Sequence, residues 1–429
     1  MFGFANFLLL ALFAAAVFDL IFALARGGGL RGALHGLWNT PHLLFGQQLA
    51  EWRLQLGRIL FAAGLAAYEI SVVFCNSMAR QNWACVQGVM SPVLEWLAFL
   101  CFGAKILFGT RYTWRELLAG GALYFIARWV YFNSQNIWWI GIVVAVLAAK
   151  DVPLRRPLQV YFASGCAAMA VVLALHFAGI VAPDLTSERM GALRGTYGYG
   201  HPNTFGGLVF GLVLAYALLR AQKVRWVDCL LVFAVGVFLL VGPASRSAAL
   251  CTLALAVGLV FCRLRAGHSV PRWWPGTCAG MVGLTAAVSY LLPLLVIKVG
   301  PWNNDIGPAW LAKLDSLLTC RISLTWMAYR LLDVKIAGQV FNWPTVDNSF
   351  AFALFQFGPV VAALLGILFA AALWGHAKQG RRVEVCCLFA MLAYAYMEVQ
   401  PFHLTTNPTA LLLCGAVFAQ ASARWQKIE

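Results

Sequence analysis

The chain has 429 residues, 62% of them hydrophobic and 11% charged, a balance that excludes an ordinary soluble globular domain. Its formal net charge of +15 at pH 7 does not mark a nucleic-acid binder either, because the basic residues fall in short clusters between apolar runs rather than along one face. The 12 cysteines carry no metal-ligand spacing; Cys75, Cys101, Cys166, Cys251, Cys386 and Cys414 lie inside apolar runs as small packing residues, and only Cys85 and Cys320 are candidates to pair outside them.

Apolar runs of about 18 to 25 residues recur along the chain, the length a helix needs to cross a hydrocarbon core. Stretches 204–219, 226–241 and 349–374 are apolar on every face, which predicts helices and excludes the alternating strands of a barrel. In chain order the predicted spans are 3–25, 59–77, 87–109, 116–133, 136–149, 158–182, 204–220, 226–242, 247–262, 273–297, 349–375, 383–398 and 409–423. The first has no basic segment before it and no small-residue cleavage site after it, so it reads as a retained helix. The expected fold is an all-α polytopic transmembrane bundle of about 12–13 spans, with 1–182 forming the N-terminal helices and 183–429 carrying the helices and loops of chemical interest.

Basic clusters fall at Arg26/Arg31 with Arg53/Arg58, Arg111/Arg115, Arg155/Arg156, Arg220/Lys223/Arg225, Arg263/Arg265/Arg272, Lys378/Arg381/Arg382 and Arg424/Lys427. If the spans alternate, all lie on one side, which the positive-inside rule makes cytoplasmic. The outer side then receives 183–203, the turn 242–246, the long loop 298–348 and 399–408. Within the long loop, 310–333 has apolar residues at helical spacing, with Trp310, Leu311, Leu314, Leu317 and Leu318 on one side and Lys313, Asp315 and Arg321 elsewhere, as in an amphipathic surface helix.

The outer segments hold the residues capable of chemistry. RGTYGYGHPNTFGG, Arg194 to Gly207, leads from a loop into a helix: Gly198 and Gly200 permit close backbone approach, Pro202 suits a first helical turn, and His201 stands at the helix entrance where an anion is favoured beside Arg189 and Arg194. The same residues also make a plain helix start. GPASRS puts Arg246 in a turn a few residues long between two apolar helices, where it either snorkels to the interface or meets an anion, phosphate being the obvious partner. Arg321, Gly338–Gln339 and TVDNSFAFALFQFG with Asp347 and Asn348 belong to the long loop, and either of the last two also serves as a helix N-cap. MEVQPFHLTTNP brings Glu398, His403 and Asn407 to the last outer turn; Glu398 follows an apolar run without a local cation, so burial makes it a candidate acid or base.

Over roughly the second half, these residues resemble the Wzy-type polysaccharide polymerases, more loosely the O-antigen ligases. GYGHPNTFGG at 198–207 is similar to that family's Gly-aromatic-x-His-Pro-Asn-Thr helix entrance, especially in its Gram-positive capsule and exopolysaccharide branch. ASRS at 244–247 resembles its Ser-Arg-Ser turn, Arg321 the arginine of its Leu-Ser-Gly-Arg segment, DNSF at 347–350 its Asp-Asn-Ser-Tyr, and Glu398 with Asn407–Pro408 its final Glu to Asn-Pro element. Thr319–Cys320 stands where that family has Ser-Gly, and Phe350 where it has Tyr.

The resemblance implies a glycosyltransferase of a bacterial plasma membrane that polymerises undecaprenyl-pyrophosphate-linked oligosaccharides on the outer face, alongside a flippase and a chain-length regulator of the same pathway. Guanidinium groups aimed at the departing diphosphate would act mainly in the transition state. Arg194, Arg246 and Arg321, with Asn203, Asn348 and Asn407, are the expected substrate-binding residues, and His201, Glu398 and Asp347 the candidate bases. Arginines in place of a divalent cation predict metal independence and no cofactor. An O-antigen-ligase-like acceptor is the nearest alternative. A lipid-linked oligosaccharide transporter is another, although neither an internal repeat nor midplane charge is evident. A non-catalytic scaffold would leave the outer arginines and histidines without a cause.

Overall fold

The computed structural model describes residues 2–25, 29–45, 51–181, 187–189, 192–296 and 308–418. Arg26, the first part of the long loop (298–307) and the last basic cluster at Arg424/Lys427 lie outside them, as does the Arg189 side chain. The first half runs α1 (Phe2–Ala25), α2 (Gly29–Asn39), α3 (Glu51–Cys75), the short α4 (Ala79–Asn82), α5 (Ser91–Phe108), α6 (Trp114–Ser134), α7 (Ile137–Ala148) and α8 (Arg155–Phe177). The second half runs α9 (Pro202–Leu219), α10 (Trp226–Val241), α11 (Arg246–Leu264), α12 (Trp274–Leu291), α13 (Ala309–Leu317), α14 (Arg321–Leu331), α15 (Ser349–Phe352), α16 (Pro359–Lys378), α17 (Arg382–Met397) and α18 (Cys414–Val417). Among the described residues, strand is limited to two two-stranded ribbons, β1 (His42–Leu43) with β2 (Arg111–Tyr112) and β3 (Ser187–Arg189) with β4 (Ala192–Arg194).

Among the described residues, eight helices are long and apolar enough to cross a membrane: α1, α3, α5 with the π turn before it, α8, α9, α11, α12 and α16. Large apolar side chains such as Phe13, Ile59, Val227, Val257 and Ile367 are exposed on the outside of the bundle, the surface that a lipid solvent requires. Starts are set by local chemistry. Thr113 and Glu116 form a reciprocal capping box for α6, Asn136 caps α7, and Pro202 and Pro359 open α9 and α16 at positions where a missing N–H costs nothing.

Three expected elements differ. The span 349–375 is not one helix: α15 passes into a π turn at Ala353–Phe357, and Gly358, at φ 86°, breaks the chain before α16. The amphipathic stretch 310–333 is two helices, because Thr319 and Cys320 both take left-handed backbone, at φ 60° and 62°. Asp315, expected off the apolar side, is buried and accepts from the Ile322 N–H at 2.7 Å and the Ser323 hydroxyl at 2.8 Å, so it anchors the start of α14. The predicted span 409–423 is irregular where described: short 3-10 turns at Gln400–Phe402 and Pro408–Leu413 are followed by α18.

That broken segment lies against the middle of α9. Gly211 allows it, since a Cβ there would stand 2.6 Å from the Thr405 carbonyl and 2.9 Å from the Thr406 Cα. Its freed backbone groups are satisfied locally. The Asn407 amide donates to the Pro401 carbonyl at 2.9 Å and its oxygen accepts from the Ala410 N–H at 3.1 Å, while the Tyr161 hydroxyl donates to the Thr405 carbonyl.

At the basic end the sequence reading missed two buried lysines. Lys105 donates to Thr110 at 2.7 Å and to the Lys150 carbonyl; Lys150 donates to the Arg111 carbonyl at 2.6 Å and faces Glu116 at 3.4 Å and Asp151 at 3.6 Å. The network ties α5, α6 and the turn after α7 together, with Lys150 set between two carboxylates and Lys105 held by a hydroxyl and a carbonyl. Cys85 and Cys320 are both exposed and neither is in a disulfide, so the candidate outer pair is not formed.

Candidate functional site

At the other end, the starts of α9, α11 and α14 meet the end of α17. Glu398 sits just past α17, 4% exposed, and its Oε1 gathers three donors: Arg321 Nη2 at 2.7 Å, Asn203 Nδ2 at 3.0 Å and Ser247 Oγ at 2.5 Å. These three partners come from three separate parts of the chain, so the carboxylate is the point at which the bundle fixes their relative positions.

Arg321 is held on every side. Its Nε donates to the Met397 carbonyl, its Nη1 to the Leu318 carbonyl at 2.9 Å, and its Nη2 to Glu398. A guanidinium has five N–H donors, so two remain for a ligand. Asp347 Oδ2 stands 4.0 Å from Arg321 Nη2, with the Asp347 side chain 31% exposed. It is the open carboxylate of the group, and Glu398 the closed one.

Arg194 closes the adjoining edge: its Nη2 donates to Asn203 Oδ1 at 2.9 Å and to the Ala244 carbonyl at 3.1 Å, linking the ribbon before α9 to the turn before α11. Arg246, the first residue of α11, is exposed, and its side chain forms no hydrogen bond or ion pair with a described residue. Its neighbour Ser247 bonds Glu398, so Arg246 begins α11 one residue before a partner of the Arg321–Glu398 pair. Arg194, Arg246 and Arg321 outnumber Asp347 and Glu398 by three to two, and the corner is cationic.

His201 caps α9. Its Nδ1 accepts from the Asn203 N–H at 3.1 Å, which puts the proton of the neutral ring on Nε2. Asn348 caps α15, accepting from the Phe350 and Ala351 N–H groups at 2.9 and 3.1 Å, and donates to Ser289 at 3.1 Å. Next to it, Ser349 Oγ donates to the Glu398 carbonyl at 2.5 Å. Asn407 is spent inside the broken segment, and the His403 ring lies against Trp138 at 4.0 Å; both shape the wall rather than the mouth.

Of the expected residues, Arg194, Asn203, Arg321, Asp347 and Glu398 therefore form one connected group, with His201 at its rim, Arg246 one residue before Ser247 and Asn348 beside it. Ser247 and Ser349 were not singled out, although both stand inside segments that were, one place after Arg246 and after Asn348. Beside the polar group an apolar cavity of about 80 Å³ opens between α12, α16 and α17, lined by Tyr290, Phe350, Phe369, Leu392 and Phe402 among others, and Ser349 and Asn407 border it.

Cys320 precedes Arg321 in a left-handed conformation that costs a residue with a Cβ about 1 kcal/mol. Cys320→Gly is expected to raise the thermal midpoint of the detergent-solubilised protein by a few degrees; an unchanged or lower midpoint would show that the turn is not strained.

The fold is thus an all-α bundle with helices of membrane-crossing length and a buried arginine–glutamate centre at one end. No family model, no curated protein and no solved structure matches the chain.

Proposed function

We propose that the chain is a membrane glycosyltransferase that polymerises undecaprenyl-diphosphate-linked oligosaccharides, as its resemblance to the Wzy-type polymerases implies. The observation that carries this reading is the Arg321–Glu398 pair, fixed by Asn203 and Ser247, with Arg246 unanswered one residue before Ser247. Such a corner is built for an anion that arrives from outside the protein. In this reading the eight long helices with α6, α7, α10 and α17 make twelve crossings, the broken segment after Glu398 makes a thirteenth, and the basic end faces the cytoplasm of a bacterial plasma membrane.

The chemistry assigned to each residue follows from its exposure. Arg246 captures the diphosphate of the donor lipid, and Arg321 offers its two remaining N–H groups to the charge that grows as the bond from the anomeric carbon to the diphosphate oxygen breaks. Glu398 is a positioning residue that orients Arg321. Asp347, open and next to Arg321, takes the proton from the acceptor hydroxyl, a role left to it because Glu398 Oε1 is filled and His201 presents a donor. The polyprenyl chain enters sideways, along the apolar cavity between α12, α16 and α17.

The test is the purified protein with a synthetic undecaprenyl-diphosphate repeat unit, which should yield a ladder of chain lengths. A single addition to a foreign acceptor points instead to a ligase, and passage of lipid-linked sugar across liposomes without transfer removes the enzyme reading. Asp347→Asn is expected to slow transfer by about a hundredfold or more, the contribution of a general base, with donor binding within about twofold of the parent. Equal loss of binding and rate would return Asp347 to a purely structural place.

A further inference from the structure

A second charged cavity lies at the basic end, away from the Arg321–Glu398 pair. Along the 16 residues of α17 the two are separated by about 24 Å at the rise of a helix. The cavity is an open cleft of about 610 Å³ between the ends of α9 and α11 and the starts of α10 and α17, with Lys223, Arg225, Arg263, Arg381 and Arg382 in its lining. Glu384 is the one carboxylate among the residues that line it.

The charge there is not answered within the described residues. The Lys223, Arg263 and Arg381 side chains form no hydrogen bond or ion pair with any of them. Arg382 is oriented by carbonyls alone, donating to Arg265 O at 2.6 Å and to His268 O, so it is fixed in place with its charge intact. The first turn of α17 opens into the same space through Arg382, Val383 and Glu384, adding the positive end of a helix to the cations. A loop that merely marks the cytoplasmic side has no need of a cation-lined cleft or of an arginine clamped by carbonyls.

An adjoining limb of about 190 Å³ shares Lys223, Arg381 and Glu384, adds Arg155 and Arg220, and is floored by Leu154, Leu158, Leu218, Leu219 and Leu412. Cations beside a leucine floor match a phosphate group carried on an apolar chain better than a free anion. We infer that this cleft binds the headgroup phosphate of an anionic phospholipid, with its glycerol and first acyl carbons on the leucine floor. The site needs only that the protein sits in a bilayer, and it stands or falls separately from glycosyl transfer.

The experiment is native mass spectrometry of the full chain, delipidated in detergent and then offered phosphatidylglycerol or phosphatidylcholine, with millimolar inorganic phosphate as competitor. Phosphatidylglycerol is expected to be retained over phosphatidylcholine. The double variant Arg263→Gln/Arg381→Gln should weaken that retention about tenfold or more, whereas Arg156→Gln/Arg272→Gln, which removes the same charge from exposed positions outside the cleft, should leave it within about twofold. If the first double variant does not survive purification, Arg263→Gln alone, exposed and unpaired, is read in the same way with a smaller loss. Equal retention of the two lipids, equal losses in the two double variants, or displacement by inorganic phosphate would each overturn the assignment.

Discussion

Arg246→Ala is expected to abolish ladder formation, a fall of about a hundredfold to a thousandfold, while the thermal midpoint of the protein stays within about 1 °C of the parent. The two halves of that result have separate causes. Arg246 is exposed and answers no other group in the described structure, so its removal leaves no buried partner stranded. Its neighbour Ser247 is bonded to Glu398, the carboxylate that anchors Arg321, so Arg246 lies one residue along the chain from that centre. A cation that costs nothing to fold and is missed only when a diphosphate must be held should show this dissociation. Transfer is followed by the ladder and folding by the melting transition in detergent. Ladders of parental length from Arg246→Ala would remove its role as the capturing group.

Glu398→Gln is expected to impair both properties. The side chain keeps its shape and its Oε1 still accepts from Asn203 and Ser247, but Arg321, 8% exposed, loses the carboxylate charge it is hydrogen-bonded to and keeps only Asp347 at 4.0 Å. Removing the close partner of a buried cation costs about 3 kcal/mol, and the orientation of the remaining Arg321 donors relaxes with it. Melting should fall by several degrees and transfer by more than tenfold. The contrast with Arg246→Ala is the informative part: one variant uncouples folding from activity, the other links them. A Glu398→Gln protein with unchanged melting would mean that the pair contributes no structural constraint.

The helical character of the chain was legible because it depends on the length and composition of single segments. Apolar runs predicted α3, α5, α7, α8 and α9 to within a few residues at most of their ends, the start of α3 excepted; Arg53 and Arg58, read as loop residues, lie within that helix. Breaks were harder to read. The π turn at Ala353–Phe357 sits inside an apolar run that hydropathy treats as continuous, and the irregular course after Glu398 depends on Asn407, Thr406 and Tyr161 capturing backbone groups, two of them at hand and one from 244 residues away. Glycine at 211 is the quiet signal of that approach, visible as a residue but not as a contact.

The site divides in the same way. Its residue types were legible from their motifs: Arg194, Asn203, Arg246, Arg321, Asp347 and Glu398 were all candidates on sequence grounds. Their partnerships were not, since Arg321 and Glu398 are 77 positions apart and Asn203 and Glu398 195. Which carboxylate is closed and which open is a property of those partnerships, and it reverses the order in which Glu398 and Asp347 would be chosen as a base. Asn407 looked like a ligand for substrate and is instead a cap, because the side chain that best satisfies an irregular turn is the same one that recognises a sugar.

The most direct measurement of the proposed diphosphate site is a comparison of three polyprenyl ligands on the purified protein: the diphosphate, the monophosphate and the neutral alcohol. Affinity should fall in that order, and Arg246→Ala should remove most of the difference between the diphosphate and the alcohol. Equal binding of all three, or a preference that survives the substitution, would mean that the arginines of this corner do not hold a lipid diphosphate.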